Sequence, residues 1–122
     1  DCGTILNPMV VDGQIQGGVA QGIGSVLYEE IIYDQQGKLL TANLTDYLAP
    51  TAAVVPKVEI AHIETPSPYT LGGMKGMGEG GTIAPPAAIA NAIAHALDEF
   101  SPRVNQIPLT PERILAIIDR TA

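Results

Sequence analysis

The chain has no tryptophan, a single phenylalanine and a single cysteine. With aromatic residues at only 4%, its apolar volume comes from Ala, Ile, Leu and Val, which favours close backbone packing over large filled cavities. One cysteine rules out an internal disulfide framework and a Cys-based zinc site, and it fits a reducing cytoplasm. Basic residues are also few. The six (Lys38, Lys57, Lys75, Arg103, Arg113 and Arg120) are scattered among 13 acids, for a formal charge of -7. There is no basic stripe to neutralise phosphates, so nucleic acid is excluded as a partner. The acidic balance also disfavours anionic membrane surfaces. No long hydrophobic run exists: the longest, 83–97, is interrupted by Pro85, Pro86, Asn91 and His95 and is too short to span a bilayer. No basic segment followed by an apolar stretch marks a signal peptide. The expectation is a cytoplasmic chain with neither nucleic-acid nor membrane partners.

What is present suits one domain covering 1–122, with 46% hydrophobic residues to build a core. Thirteen Gly and ten Pro are many for this length but follow no period, which excludes collagen-like and low-complexity readings. The opening Asp1-Cys2-Gly3-Thr4-Ile5-Leu6 lacks Met and reads as an entry midway through a strand, so a fragment of a longer protein is expected.

Apolar residues at 15, 19, 23, 26 and 27 share one helical face and predict a helix over 11–32. Asn7-Pro8 marks a turn upstream, and Asp12 is a candidate N-cap or first-turn acid. Gly13, Gly17, Gly18, Gly22 and Gly24 lie in or beside this helix, and each interior Gly costs about 0.5–1 kcal/mol relative to Ala. Either close helix packing or the approach of a ligand must compensate. Residues 30–41 read as a hairpin around Gln35-Gln36-Gly37, and 57–64 as a strand ended by Thr65-Pro66-Ser67-Pro68. An Ala-rich helix over 84–99 has Pro85 and Pro86 in its first turn and is apolar on nearly every side, which predicts burial. A short strand at 104–109 and a helix capped by Thr110-Pro111-Glu112 complete the chain. The fold class is therefore α+β (mixed α/β): glycine-rich helix, hairpin and short strands, Ala-rich buried helix, short C-terminal helix.

The chemistry lies in 72–81, where six glycines surround Lys75 and Glu79. Gly76, Gly78 and Gly81 formally satisfy a dinucleotide fingerprint, but Pro66, Pro68, Gly72 and Gly73 occupy the place of its strand. Asp98 also falls at the end of a helix instead of a second strand, so it is not placed to reach a ribose. What survives is one carboxylate on a Gly-rich loop leading to a helix start, where backbone can approach a ligand. Two readings of Glu79 stand: a general base against a bound ligand, or a helix cap.

Three segments in order resemble the molybdenum-cofactor subunit of the xanthine dehydrogenase, aldehyde oxidase and aerobic carbon monoxide dehydrogenase family. They are Asp1-Cys-Gly-Thr-Ile-Leu-Asn-Pro8; Gly13-Gln-Ile-Gln-Gly-Gly18 with Gln21-Gly-Ile-Gly24; and Lys75-Gly-Met-Gly-Glu-Gly-Gly81. Asp46-Tyr47, Glu64-Thr-Pro-Ser-Pro68 and Asn91-Ala92 add to the likeness, which covers essentially the whole chain. The resemblance implies the C-terminal part of a cofactor-binding domain. It puts the family's catalytic glutamate, which takes a proton from a hydroxo ligand on molybdenum, on Glu79, and its pterin-contacting glutamine on Gln14. Gly78 and Gly80 would let backbone approach the cofactor. The metal is held by the pterin dithiolene, so no protein metal ligand is expected. The implied cofactor is molybdenum-molybdopterin, with the cytosine dinucleotide form as one option; it would bind the full-length protein and be absent from the fragment. The implied partners are the remainder of the molybdenum subunit, iron-sulfur and flavin subunits or domains, and a small substrate such as an aldehyde or N-heterocycle. The fragment alone should be inactive and prone to self-association through its glycine-rich helix. Gly80 stands where xanthine dehydrogenases typically have Pro, and with 64–68 this is closer to the carbon monoxide dehydrogenase-like bacterial branch.

The alternative is a non-enzymatic module whose Gly-rich loops only pack against a partner domain. His62, on the 57–64 strand, and His95, on a buried helix, lack a nearby carboxylate and read as structural. Glu29-Glu30 reads as a solvated helix end, and Cys2 as a structural thiol.

Overall fold

The computed structural model describes residues 1–119. Its spine is α1 (Pro8–Leu27). Asn7 sits in extended backbone (φ -136°, ψ 97°), its side chain accepts the Val10 N–H at 3.3 Å, and Pro8 occupies the first turn, where no N–H partner is needed. The cap is therefore Asn7, and Asp12 lies inside the helix. The helix also stops earlier than its apolar spacing suggests. Tyr28 leaves helical space, and the N–H groups of Tyr28 and Glu29 both return to the Gly24 carbonyl.

The face of α1 that carries Gly18, Gly22, Ile23 and Val26 is buried. Over it lie α2 (Gly80–Ile83) and α3 (Pro85–Ala96). Their approach depends on missing side chains. A Cβ on Gly18 would stand 2.8 Å from the Gly81 backbone, and one on Gly81 would stand 2.6 Å from the Ile15 carbonyl oxygen. A Cβ on Gly22 would meet Pro85 at 2.7 Å, and one on Gly24 would meet the Glu29 carboxylate at 2.7 Å. Gly13 and Gly17 differ, for a Cβ there meets nothing within 4 Å. Three of the five α1 glycines are thus explained by packing, and two are not.

The far end of α1 is closed by the C-terminal segment. Val26 is fully buried against a core that includes Ile23 and Leu109, and the Leu109 N–H donates to the Val26 carbonyl at 2.6 Å. Burying such side chains contributes roughly 1.5–3 kcal/mol each. α4 (Pro111–Asp119) follows, its start capped by the Thr110 hydroxyl, which accepts the Arg113 N–H. Hydrogen bonds from its own N–H and from the Thr110 hydroxyl hold the Glu112 carboxyl below the usual range. The stability this gives is present above the ordinary carboxylate pKa and is lost as pH falls through the lowered value. Arg113 donates to the Pro108 carbonyl and the Glu30 carboxylate, which ties α4 to the end of α1. Glu30 is therefore an anchor, where a solvated helix end was expected. Glu29 is engaged too: its hydrogen bond and charge help raise the Tyr47 pKa, after the larger effect of desolvation.

Strand structure is sparse. The described residues hold two isolated antiparallel bridges, Gly3 with Met74 and Tyr33 with Leu39. The second closes the 30–41 hairpin, whose turn is held by Asp34 Oδ1 accepting from the N–H groups of Gln36 and Lys38. Residues 57–64 and 104–109, read as strands, form no ladder among the described residues. A strand needs a neighbouring strand for its N–H and C=O groups, and among the described residues none pairs with them. The chain is thus mostly helical, and an α+β arrangement is not completed within it. The Ala-rich α3 corrects another expectation. It has no buried residue, because only its α1-facing side is covered, and Ala87, Ala88, Asn91, Ala92, His95 and Ala96 are exposed.

If the Gly18–Gly81 contact seats α2, then Gly18→Ala in the full-length protein should cost about 1–3 kcal/mol through overpacking. Amide hydrogen exchange across 78–83 should speed up accordingly. Unchanged exchange there would mean that the two backbones can separate without penalty.

Candidate functional site

Glu79 lies between two anchored stretches. Upstream, the chain's opening segment is stitched to the glycine-rich loop. The Thr4 N–H donates to the Gly73 carbonyl (3.2 Å), the Lys75 N–H to the Cys2 carbonyl (2.7 Å), and Lys75 Nζ pairs with Asp1 Oδ2 at 3.1 Å. Gly73 has φ +76°, and a Cβ there would strike Pro66 at 2.7 Å, so only glycine can make this turn. Cys2 is buried and unbridged in this seam, consistent with a structural thiol. Downstream, α2 is locked on α1 through Gly18, Ile15 and Gly81.

Glu79 stands at the N-cap position of α2 with φ -110° and ψ 0°. Its backbone carbonyl accepts the Thr82 N–H at 3.0 Å, but its side chain makes no capping hydrogen bond. The carboxylate is exposed and has no hydrogen-bond or ion-pair partner among the described residues. It borders an open cleft of about 240 Å³ lined by Gln21, Gly78, Glu79, Thr82 and Ile83. The cap reading thus loses its support.

Gln14 reaches the same place from α1. Its Nε2 donates to the Gly78 carbonyl at 2.6 Å, bridging 64 positions of sequence. Gly78 and Gly80 flank Glu79, and a Cβ on either would meet nothing within 4 Å. The same holds for Gly76, Gly13 and Gly17. All four residues singled out by sequence (Gln14, Gly78, Glu79 and Gly80) therefore gather at one edge of the molecule. Gln21 and Thr82 were missed as site residues. Gln21 follows Gln14 by seven positions, two helical turns, and that spacing was the available signal.

The other titratable candidates fall elsewhere. His62 does have a carboxylate partner: Nε2 lies 2.7 Å from Asp12 Oδ1, so the pair straps 57–64 to α1. Sequence spacing hid this pairing because the two residues are 50 apart. His95 is exposed on α3. No group of three or more His, Cys, Asp or Glu residues among the described residues could hold a metal ion. No helix there is long and apolar enough to cross a membrane. A cleft of similar size near Arg103, Leu109 and Arg113 includes no carboxylate.

Residues 1–56 match the molybdopterin cofactor-binding domain family. The chain is 51% identical over 115 residues to the nicotine 6-hydroxylase large subunit of Paenarthrobacter nicotinovorans, covering 94% of this chain and 14% of that one. It is 40% identical over 96 residues to the carbon monoxide dehydrogenase large chain of Afipia carboxidovorans, covering 79% of this chain and 12% of that one. The crystal structure of quinoline 2-oxidoreductase from Pseudomonas putida 86 superposes with a TM-score of 0.94 at 52% identity, over 98% of this chain and 15% of that chain. The chain belongs to the molybdopterin-binding large-subunit family of the molybdenum hydroxylases, the xanthine dehydrogenase and carbon monoxide dehydrogenase type. It spans about one seventh of the length of the nicotine 6-hydroxylase subunit and of quinoline 2-oxidoreductase.

His62 and His95 both lie outside the glycine-lined edge, and an exposed ion pair contributes about 0–1 kcal/mol. His62→Ala or His95→Ala in the full-length protein should leave turnover within about twofold, since neither touches the groups that move protons. A tenfold or greater loss, at unchanged expression, would place the affected histidine in the site.

Proposed function

We propose that the chain is the C-terminal part of the cofactor-binding domain of a longer molybdenum hydroxylase subunit, with Glu79 as its catalytic base. The observation that carries this reading is the unpartnered Glu79 carboxylate beside a row of glycines whose missing side chains face open space. Glycines that pack inside the chain are explained by packing. Gly13, Gly17, Gly76, Gly78 and Gly80 are not, and a ligand pressed against bare backbone is what they would admit.

These residues fit a molybdenum-molybdopterin group. In such a group the metal would be carried by the pterin, and no side chain of this chain would need to ligate it. Gln14 offers Oε1 and a second amide N–H beyond the one given to Gly78, so it can bind a polar pterin edge. Gly78 and Gly80 let backbone approach closely. The cofactor, when bound, supplies the two-electron oxidation and the oxygen transfer. Glu79 then needs only to accept a proton at its carboxylate, the role of a general base within hydrogen-bond reach of the reacting group. Gln21 and Thr82 put an amide and a hydroxyl on the wall of the same cleft.

The substrate class we propose is a small N-heteroaromatic compound, hydroxylated at an electron-poor ring carbon. Both the nicotine 6-hydroxylase subunit and quinoline 2-oxidoreductase are named for nitrogen heterocycles, and each is more than 50% identical to this chain. The likeness to the carbon monoxide dehydrogenase large chain is lower, at 40%. In the complete protein, the remainder of the molybdenum subunit would cover α3 and pair with 57–64, giving the α+β architecture this chain leaves unfinished. Iron-sulfur and flavin subunits or domains would take the electrons, in the cytoplasm. The 122 residues alone would hold no molybdenum, and exposed Leu6, Met9 and Val10 at the start of α1 favour self-association of the isolated piece.

In the full-length enzyme, Glu79→Gln should lower turnover by at least about 10³-fold while molybdenum content stays at the parent level. Turnover within a few-fold of the parent would rule out the base. Gly17→Ala should reduce bound molybdenum, although it meets nothing within this chain and would by itself favour the helix by roughly 0.5–1 kcal/mol. Full occupancy would mean that the open glycines do not face the cofactor.

A further inference from the structure

Residues 76–78 carry one hydrogen bond among the described residues, the one from Gln14 Nε2 to the Gly78 carbonyl. That carbonyl belongs to the same peptide plane as the Glu79 N–H. Planarity makes the plane a rigid unit, so fixing its oxygen fixes the direction in which the chain enters Cα of Glu79. Gly76 and Gly78 have no Cβ, and an added Cβ would touch nothing within 4 Å, so between the anchored Lys75 and Glu79 the only side chain that can add packing is Met77, which lines a cleft with the opening segment and α1. Glycine on either side of Glu79 also leaves its backbone freer than any other residue would.

On the exit side, the Glu79 carbonyl accepts the Thr82 N–H, and Gly81 rests on the Ile15 and Gly18 backbone of α1. Gln14, Ile15 and Gly18 are neighbours on one helix. They contact Gly78 and Gly81, the residues just before and just after the Glu79–Gly80 pair.

We infer that Gln14 is a positioning residue for the general base: its amide clamps the Gly78–Glu79 peptide and so aims the Glu79 carboxylate, a role separate from any contact Gln14 makes with the pterin. This rests on the reading of Glu79 as the base. A carboxylate on a free glycine loop would sample many directions, and a base acts only within hydrogen-bond reach of its proton. The clamp confines that search from an element that does not move with the loop.

The test uses the full-length protein and two substitutions. Gln14→Met keeps side-chain length and removes the donor; Gln14→Lys keeps a donor of similar reach. In cofactor-free protein, cleavage after Glu79 by a glutamate-specific protease should speed up about tenfold in Gln14→Met, the worth of one hydrogen bond holding the loop. It should stay near the parent rate in Gln14→Lys, with amide exchange of α3 unchanged in both. In loaded protein, kcat per bound molybdenum should fall about tenfold in Gln14→Met with KM within about threefold, the pattern of a misaimed transition-state group. Unchanged cleavage in Gln14→Met, or equally fast cleavage in Gln14→Lys, overturns the clamp. Faster cleavage with unaltered kcat per molybdenum overturns its part in catalysis. Failure of the base reading is separate, since it would appear as retained turnover in Glu79→Gln whatever Gln14 does.

Discussion

The arrangement of this chain depends on one contact, the meeting of the Gly18 and Gly81 backbones. Two helices with ordinary side chains lie 8–10 Å apart, too far for one to brace the peptide bonds of the other. Removing the Cβ atoms lets α2 settle directly on α1, with a would-be Gly18 Cβ 2.8 Å from Gly81. α2 is a single turn and could not persist alone, because isolated short helices are unstable in water. Its existence, and with it the location of Glu79 at its N-cap, follows from this seat.

The glycines of α1 thereby divide by physical role, though nothing in their spacing announces it. Gly18, Gly22 and Gly24 are sites where a methyl group would collide with backbone, proline or the Glu29 carboxylate. Gly13 and Gly17 lie on the same helix with no obstruction at all. A helix that loses about 0.5–1 kcal/mol at each such position gains nothing inside this chain from the second group. The open glycines are also the ones near Gln14 and the loop that carries Glu79. The proposed approach of a cofactor to bare backbone would account for both their presence and their clustering.

Much of this was legible in the sequence, and the failures share a cause. Thr110 and the prolines at 85 and 111 mark helix starts by local chemistry, and those helices begin where the residues stand, whereas α1 begins at Pro8, in what the sequence offered as a turn before a helix starting at 11. Glu79 and Gln14 were singled out through the chain-wide resemblance; that they meet through the Gly78 carbonyl was not legible, since 64 positions separate the bonded pair. Asp12 and His62 illustrate the same limit. The wrong expectations concern elements that need a second surface. An apolar Ala-rich helix such as α3 signals burial, and alternation at 57–64 signals a strand, but neither pattern says whether the cover comes from the same stretch of chain. Here it does not, and both remain open-faced.

That incompleteness is uneven in a way that matters for the site. The elements that fix Glu79 are all internal: the seam between 2–4 and 73–75, the seat of α2 on α1, and the amide of Gln14. The elements left uncovered, α3 and 57–64, take no part in those contacts. A catalytic carboxylate must be held while the surface in front of it stays free for ligand, and those demands conflict if one set of side chains meets both. This chain separates them. Backbone contacts and one side-chain amide hold the loop from below, so the exposed side of the Glu79 loop can be bare glycine without becoming shapeless. On the proposed reading of Glu79 as the base, its carboxylate stands without a salt bridge that would have to break before it could accept a proton.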